Sequence, residues 1–274
     1  MSQSKAIHSQ DFHALMRILN ECRDMGDDNG RWQRHFLESL ARLVAAEVAV
    51  GGELRGFAAG RPAPVAPGDT TAEWGFENGF DRRGWVRALE LLQSNPTYGE
   101  SMTTYITQGG TGTAVRLSDL VPAEERVGSL EFDEVHRVVG VDQGVVCFHA
   151  ISNPVRDEVY GTYLFRGAGE RNFSERETQI VQLAFAGVAP LIGGPLARIA
   201  EPSPADLAPR VRAVLRCMFE GDGDKAIASR LGISVHTVNQ YTKAIYQHFG
   251  VNGRAELLAR WIRRGWGARY AWAE

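Results

Sequence analysis

His236, Asn239, Gln240 and Lys243 fall on one face of a helical pattern over Val235–His248, opposite an apolar stripe of Val238, Ile245 and Phe249. An amide side chain offers a donor and an acceptor together, which suits the edge of adenine, while a lysine donates to phosphate. That set reads nucleic acid; it does not make or break bonds. Elsewhere, Cys147 and His149 alternate onto one face of a strand, as a nucleophile and base would need, but read more simply as sheet packing. Glu131, Asp133, Glu134 and His136 form an acidic cluster with one imidazole, and their context LEFDEVHRVVG reads as a solvated helix face. Asp222-Gly223-Asp224 lacks the third acid and the late glutamate of a calcium loop. Gln108–Gly112 (QGGTG) lacks the Lys and Ser/Thr of a phosphate loop. Cys22, Cys147 and Cys217 lie far apart with no CxxC pair, so neither a disulfide framework nor a zinc site is indicated. No enzyme activity, metal or cofactor is expected.

The polar face needs elements that hold it outward. A first short helix, Asp224–Leu231, carries Ile227 and Leu231 on one side with Ala228 beside them. Gly232 stands where that helix must stop, since glycine accepts the left-handed conformation of a C-cap. Ser234 follows as N-cap of the second helix, its hydroxyl placed to accept from the first free amides. Two helices meeting at Leu231-Gly232-Ile233-Ser234 outline a helix-turn-helix, whose second helix enters the major groove. A polar helix face by itself is also what any small solvated amphipathic helix shows; the turn, the apolar spacing and the basic tail favour the reader.

The stretch resembles the LuxR-type (GerE-like) DNA-binding domain. The pattern runs as Leu207, Pro209-Arg210, Val214-Leu215, Gly221, Lys225, Ile227-Ala228, Leu231, Ile233-Ser234, Thr237-Val238, Ile245-Tyr246, Gly250-Val251 and Arg254-Ala255. The resemblance implies a four-helix bundle: a scaffold helix near Pro209–Glu220, the two-helix reader, and a last helix from about Arg254 to Arg264. It also implies DNA contacts from Ser234, His236, Thr237, Asn239, Gln240 and Lys243, with Lys225 and Arg254 on phosphates. Members dimerise through the last helix, so Leu257, Leu258 and Trp261 offer an apolar seam, or else close the bundle core. The chain departs from the family at Ala208 and Val211, at Gly223-Asp224-Lys225-Ala226, and at Asn239 and Tyr241. The first two departures remove capping boxes, each costing ~1 kcal/mol; Asp206, Asp222 or Asp224 is then expected to cap. The last removes a cation from the reading face.

Charge divides the chain in the same place. From Asp206 onward there are 11 Lys and Arg against 6 Asp and Glu, a formal +5, whereas the remainder carries 19 against 27. A small basic module on an acidic one suits phosphate binding, because nucleic-acid affinity rests on cations displacing counterions. Arg260, Arg263, Arg264 and Arg269 extend that charge, and with Trp261 and Trp266 the terminal helix could alternatively rest on a membrane surface. The length of 274 residues and 44% apolar content suggest two domains. Met1–Gln10 is polar and carries no secretion signal. The longest apolar run, Ile180–Ala197, is broken by Pro190 and Gly193-Gly194-Pro195, so it reads as a packed helix and not as a membrane span. A reducing cytoplasm is expected. The boundaries are residues 1–195 for an upstream domain, 196–205 for a linker stiffened by Glu201-Pro202-Ser203-Pro204, and 206–274 for the reader.

The upstream domain reads as α+β. Helices are expected over Asp11–Met25, Arg31–Val48 and Arg82–Gln93, and strands over Val48–Gly56, Ala114–Leu117, Gly144–Ile151 and Val159–Phe165, the last two as an antiparallel hairpin. Arg61–Gly68 (RPAPVAPG) reads as a loop. Ser174-Glu175-Arg176-Glu177 is a capping box that opens a helix to about Ala189. This layout resembles a GAF-like or PAS-like sensory domain, most specifically over Gly167–Asn172 and the helix after Phe173. The resemblance implies a small-molecule effector, which Trp74, Phe76, Phe80, Trp85, Tyr98 and Tyr105 would line if they do not simply anchor core and loops.

The expectation is therefore a cytoplasmic regulator that binds double-stranded DNA as a homodimer: a GAF/PAS-like α+β sensor followed by an all-α four-helix helix-turn-helix domain. Two alternatives stay open. One is a degenerate reader that docks another protein. The other is a quorum-sensing receptor for acyl-homoserine lactones; that family's Trp…Tyr…Asp-Pro…Trp arrangement is not traceable, and Asn95-Pro96-Thr97-Tyr98 is only a fragment of it.

Overall fold

The strand Val141–Ala150 buries side chains on both of its faces: Val145 and Cys147 enter one apolar core, Val146 and Phe148 another. Successive strand residues point to opposite sides, so this VVCF run belongs to a sheet covered on both faces. In the computed structural model the described residues are 6–64, 71–95, 99–108, 111–151, 157–199 and 202–263. The sheet comprises β1 (Val48–Arg55), β2 (Ala63–Pro64), β3 (Thr71–Trp74), β4 (Ala114–Arg116), β5 (Val141–Ala150) and β6 (Glu158–Gly167). Its order is β2-β1-β6-β5-β4, antiparallel throughout, with β3 pairing a different stretch of β1 from β2. β5 and β6 run ten residues each, longer than their alternation predicts. Gly161 of β6 lies under the Phe148 ring; a Cβ there would sit 1.9 Å from Phe148 Cδ1.

One face is covered by α1 (Ser9–Asp24), α2 (Asn29–Leu43) and α8 (Glu175–Val188), which bring Ile18, Trp32, Phe36, Leu40, Ile180 and Phe185 against the sheet. α2 stops short of the expected Val48. Ala45 adopts φ 51°, and buried Arg166 donates to the Val44 and Ala45 carbonyls that a longer helix would have used. The predicted capping box at α8 is present: Glu177 Oε2 accepts from Ser174 N at 2.7 Å, and Ser174 Oγ from Glu177 N at 3.3 Å. Glu177 also takes Arg166 at 2.9 Å, joining the α8 start to β6.

The opposite face is built from α3 (Arg82–Ser94), α4 (Glu100–Thr107), α5 (Leu117–Leu120), α6 (Ala123–Arg126), a π-helical turn at Phe132–His136 and α7 (Arg137–Val139). Among these, α3 and the helical stretch that holds Phe132–His136 and α7 are expected, and β2 falls inside the stretch expected to be a loop. Short elements carry too few residues to show a period.

The C-terminal region is a bundle of α9 (Pro209–Phe219), α10 (Asp224–Leu231), α11 (Val235–Phe249) and α12 (Arg254–Arg263) around Leu215, Ile227, Val238, Ile245, Phe249 and Trp261. Asp206, Asp222 and Asp224 do not cap α9 or α10 as expected. The N-caps are Ala208 and Gly223, with no side-chain bond at either. Asp206 instead accepts from Ser203 N at 3.0 Å and closes a preceding turn, Asp222 pairs with Arg230 at 3.0 Å, and Asp224 is the first residue of α10. Pro209 at the first position of α9 has no N–H to satisfy, which lowers the need for a cap there. Among the described residues no helix is long and apolar enough to cross a membrane. The expectations on Tyr98, Arg264, Trp266 and Arg269 lie outside the described residues.

Candidate functional site

Gly232 ends α10 at φ 63°, ψ 37°, and Ile233 N returns to Ala228 O at 3.0 Å. Ser234 then caps α11 as predicted, its Oγ accepting from Thr237 N at 3.0 Å and lying 2.8 Å from Thr237 Oγ1. Because Val238, Ile245 and Phe249 are buried, the helix has one rotation open to it, and His236, Asn239, Gln240 and Lys243 stand exposed together. Gln240 Nε2 lies 3.1 Å from His236 Nε2, one turn apart on that face. Lys225 is exposed on the adjoining α10. Thr237 is half-buried beside Ser234.

Arg254 is placed differently. Its Nη1 donates to Asp222 O at 2.7 Å and its Nη2 to Met218 O, so the guanidinium ties the α9–α10 loop to the start of α12. Arg230 is likewise engaged, by Glu220 and Asp222. The expected seam on α12 divides. Leu257 and Trp261 are buried, with the Trp261 ring 3.9 Å from that of Phe219, and so close the bundle core. Leu258 is half-buried, and Ile262, 73% exposed, stands one turn on with Ala255 and Ala259 exposed nearby.

A second site lies in the N-terminal region, between the sheet and α3. It is a partly open apolar cavity lined by Val48, Val50, Leu54, Leu92, Val139, Phe165 and their neighbours. Of the aromatic residues expected to line a cleft, Phe76 and Trp85 do so. Tyr105 is fully buried with its hydroxyl donating to Thr113 O, and Trp74 packs on the opposite side of the sheet. One end of the cavity is polar. Glu131 accepts from Ser101 N at 2.9 Å and from Ser101 Oγ, and His136 Nε2 is 3.7 Å away. Burial pushes the Glu131 carboxyl up against the pull of those bonds. Burial, helped by Arg126, holds His136 down at about 4, so its ring is uncharged at neutral pH. His136 Nδ1 and Trp85 Nε1 are buried in this lining with no hydrogen-bond partner among the described residues.

The acidic cluster is thus corrected: Glu131 and His136 are 7% and 4% exposed and not solvated. The signal was present in Val135 and Val139, which share a helix face with Glu131 and mark it as the inner one. The reactive pair is also resolved. Cys147 is buried and its thiol pushed up to about 12 by desolvation, which leaves no thiolate for nucleophilic attack. Among the described residues no group of three His, Cys, Asp or Glu is placed to hold a metal ion. Gly112, at the end of the QGGTG run, donates to Phe148 O at 2.7 Å beside β5.

Residues 205–260 match the profile of a family described as "Bacterial regulatory proteins, luxR family" (GerE). No curated protein matches the chain. Solved structures that align with it include SdiA in complex with octanoyl-rac-glycerol, at 14% identity and a TM-score of 0.45, covering 94% of this chain and 97% of that one. Another is Escherichia coli SdiA in space group P6522, at 14% identity and a TM-score of 0.36, covering 93% and 98%. Residues 205–260 form a LuxR-type DNA-binding helix-turn-helix domain, and the chain that carries it is a transcriptional regulator.

Proposed function

We propose that this chain is a cytoplasmic, sequence-specific DNA-binding regulator that works as a homodimer, under control of a small molecule held in its N-terminal region. The observation that carries the reading is the exposed row His236, Asn239, Gln240 and Lys243, aimed outward by the Gly232 turn and the Ser234 cap. Asn239 and Gln240 read base edges, Lys243 and Lys225 meet phosphates, and Ser234 and Thr237 contact the backbone near the helix start. Arg254 contributes by holding the α9–α10 loop behind Lys225, and reaches phosphate only with the guanidinium edge that its carbonyl bonds leave open. The dimer seam runs along Ala255, Leu258, Ala259 and Ile262, with Leu257 and Trp261 supporting it from the core.

The N-terminal region is read as a GAF-like sensor. Its cavity suits an uncharged, mostly apolar molecule that carries a hydrogen-bond acceptor for Trp85 Nε1 and a polar group for His136 Nδ1. Two buried polar groups without partners among the described residues, set in an apolar wall, favour a ligand that supplies them, since leaving such groups unpaired costs about 1–3 kcal/mol each.

The test is fluorescence anisotropy of labelled DNA from the chain's own upstream region against a shuffled control, at two salt concentrations. Tighter and salt-sensitive binding to the native fragment is expected, and equal weak binding to both would overturn sequence-specific reading. Asn239→Ala and Gln240→Ala should narrow the gap between the two fragments.

A further inference from the structure

The segment that joins the two regions is docked along its described stretches, 196–199 and 202–206, by a set of buried contacts. Leu196 is fully buried in the core under α1, α2 and α8. Gly26, in the α1–α2 turn, makes room for it: a Cβ there would lie 2.0 Å from Pro195 O. Ala197 N donates to Gly26 O at 2.5 Å, and Trp32 Nε1 donates to Ala197 O at 2.9 Å. Arg198, with its side chain 6% exposed, sends Nε and Nη2 to Glu53 Oε2 at 2.9 and 2.7 Å and holds Nη1 2.7 Å from Glu158 Oε2. Ile199 N donates to the other Glu53 oxygen at 2.9 Å.

Glu53 and Glu158 sit on neighbouring strands, β1 and β6. Glu53 pairs in register with Tyr160, and Glu158 is two residues from Tyr160, so both carboxylates leave the sheet on the same side. The other side of those strands carries Val50, Leu54 and Tyr163, which line the cavity. Cavity and Arg198 are therefore back to back across a single layer of two strands.

The far end of the segment meets the reader. Ser203 Oγ donates to Asp27 O, and His248 Nε2, in the last turn of α11, donates to Ser203 O at 2.8 Å. Arg212 of α9 donates to Ala205 O at 2.8 Å and Leu207 O at 3.0 Å. Ala197 itself is buried within the same apolar cluster as the reader core. One short segment is thus anchored to the cavity-bearing strands at Arg198 and to the reading helix at Ser203.

We propose that this segment is a strap that transmits the state of the cavity-bearing sheet to α11, with Arg198 as its input and the Ser203–His248 contact as its output. The proposal rests on the cavity reading given above. A guanidinium shared by two buried carboxylates on different strands is sensitive to their separation, because misalignment leaves a buried charge without its partner. A guest that spreads or draws together β1 and β6 moves Glu53 relative to Glu158. Arg198 must follow, and it carries Ile199 and the strap with it.

The test uses the full chain and cavity-filling substitutions in place of a guest: Ala88→Leu, and Leu89→Trp in case the first is overpacked. Hydrogen exchange is followed in peptides spanning 196–206 and 243–250, and DNA affinity by anisotropy on the same samples. Filling the cavity should change exchange in both peptides by about fivefold or more in the parent chain. The change at 243–250 should vanish when the strap is cut at either end, by Arg198→Lys, which keeps the charge and loses the fork, or by His248→Phe. An unchanged 243–250 peptide in the filled parent, or an equal change in the cut variants, overturns the strap. Loss of specific DNA binding throughout, with the exchange coupling intact, would instead count against the DNA-reading assignment and leave the strap standing.

Discussion

The two regions of this chain solve opposite problems with their polar residues. The N-terminal region takes them inside: Arg166 with Glu177, Arg198 with Glu53 and Glu158, and Glu131 with Ser101 are all buried or nearly so. The C-terminal bundle keeps its polar row outside and fills its small core with Val214, Leu215, Ile227, Val238 and Ile245. A buried polar group demands a partner, so the first region is specified by long-range pairs, and its cavity carries two polar groups that find none among the described residues. An exposed row demands only that its helix be rotated correctly, which a local apolar stripe achieves. The first region is specified from the inside, and the second presents its polar row outside.

Arg166→Met is the most severe way to break that contrast. It strips Glu177 of a buried partner and the Val44 and Ala45 carbonyls of their donors, and should cost the N-terminal region about 3–5 kcal/mol. Calorimetry should then show the N-terminal transition moving down while the bundle's own melting is retained. A single joint shift would show that the two regions do not melt separately. Ile245→Ala is the converse probe, because it opens a void in a core with few side chains to refill it. A loss of about 2–5 kcal/mol is expected, confined to the C-terminal transition and to DNA binding.

Acid separates the regions more gently. Glu177, held at about 2 against an ordinary 4.5 by Arg171, Ser174 and Arg166 despite its burial, contributes stability that is fully present above pH 4.5. That contribution is lost as pH falls toward about 2. His136, buried neutral at about 4 against an ordinary 6.5, makes the folded state bind fewer protons than the unfolded chain between those values, so stability rises with pH across that window. Urea melts from pH 7 down to 3 should show the N-terminal region weakening first, and His136→Gln should flatten the upper part of the decline. On the reading face, Lys243→Ala should weaken binding to specific and random DNA alike and lower the salt slope by about one. Retention of the parent slope would remove Lys243 from the phosphate contacts. The smallest effect is expected at the turn: Gly232→Ala, at φ 63°, should cost about 1 kcal/mol without changing which sequence is preferred. Comparing melting and DNA selectivity in the same variant checks both parts.

Legibility followed the same division. The α10–α11 turn, the Ser234 cap, the α8 capping box and strands β1, β5 and β6 were visible as local patterns, because each is written in residues within a few positions of one another. α4, α5, α6, β2 and β3 were not visible, being too short to show a period. The roles of Glu131 and His136 were hidden by neighbours Asp133 and Glu134, which make the same segment look solvated. Arg198 gave only a faint signal. Glu53 stands alone as a charge in the run VAVGGEL, and a single buried carboxylate implies a distant cation without saying which.

What the sequence alone determined was the reader: its helices, its turn, and which face is polar. Those follow from spacing along one chain segment, and a helix carries its neighbours at fixed angles wherever it is placed. Only the tertiary structure decided that Leu257 and Trp261 face the core, that Arg254 braces a loop, that Trp85 and His136 share a cavity, and that Arg198 closes on two strands. Each of those outcomes joins residues far apart in the chain, where no local period constrains them. Their partners are selected by the packing of whole layers against one another.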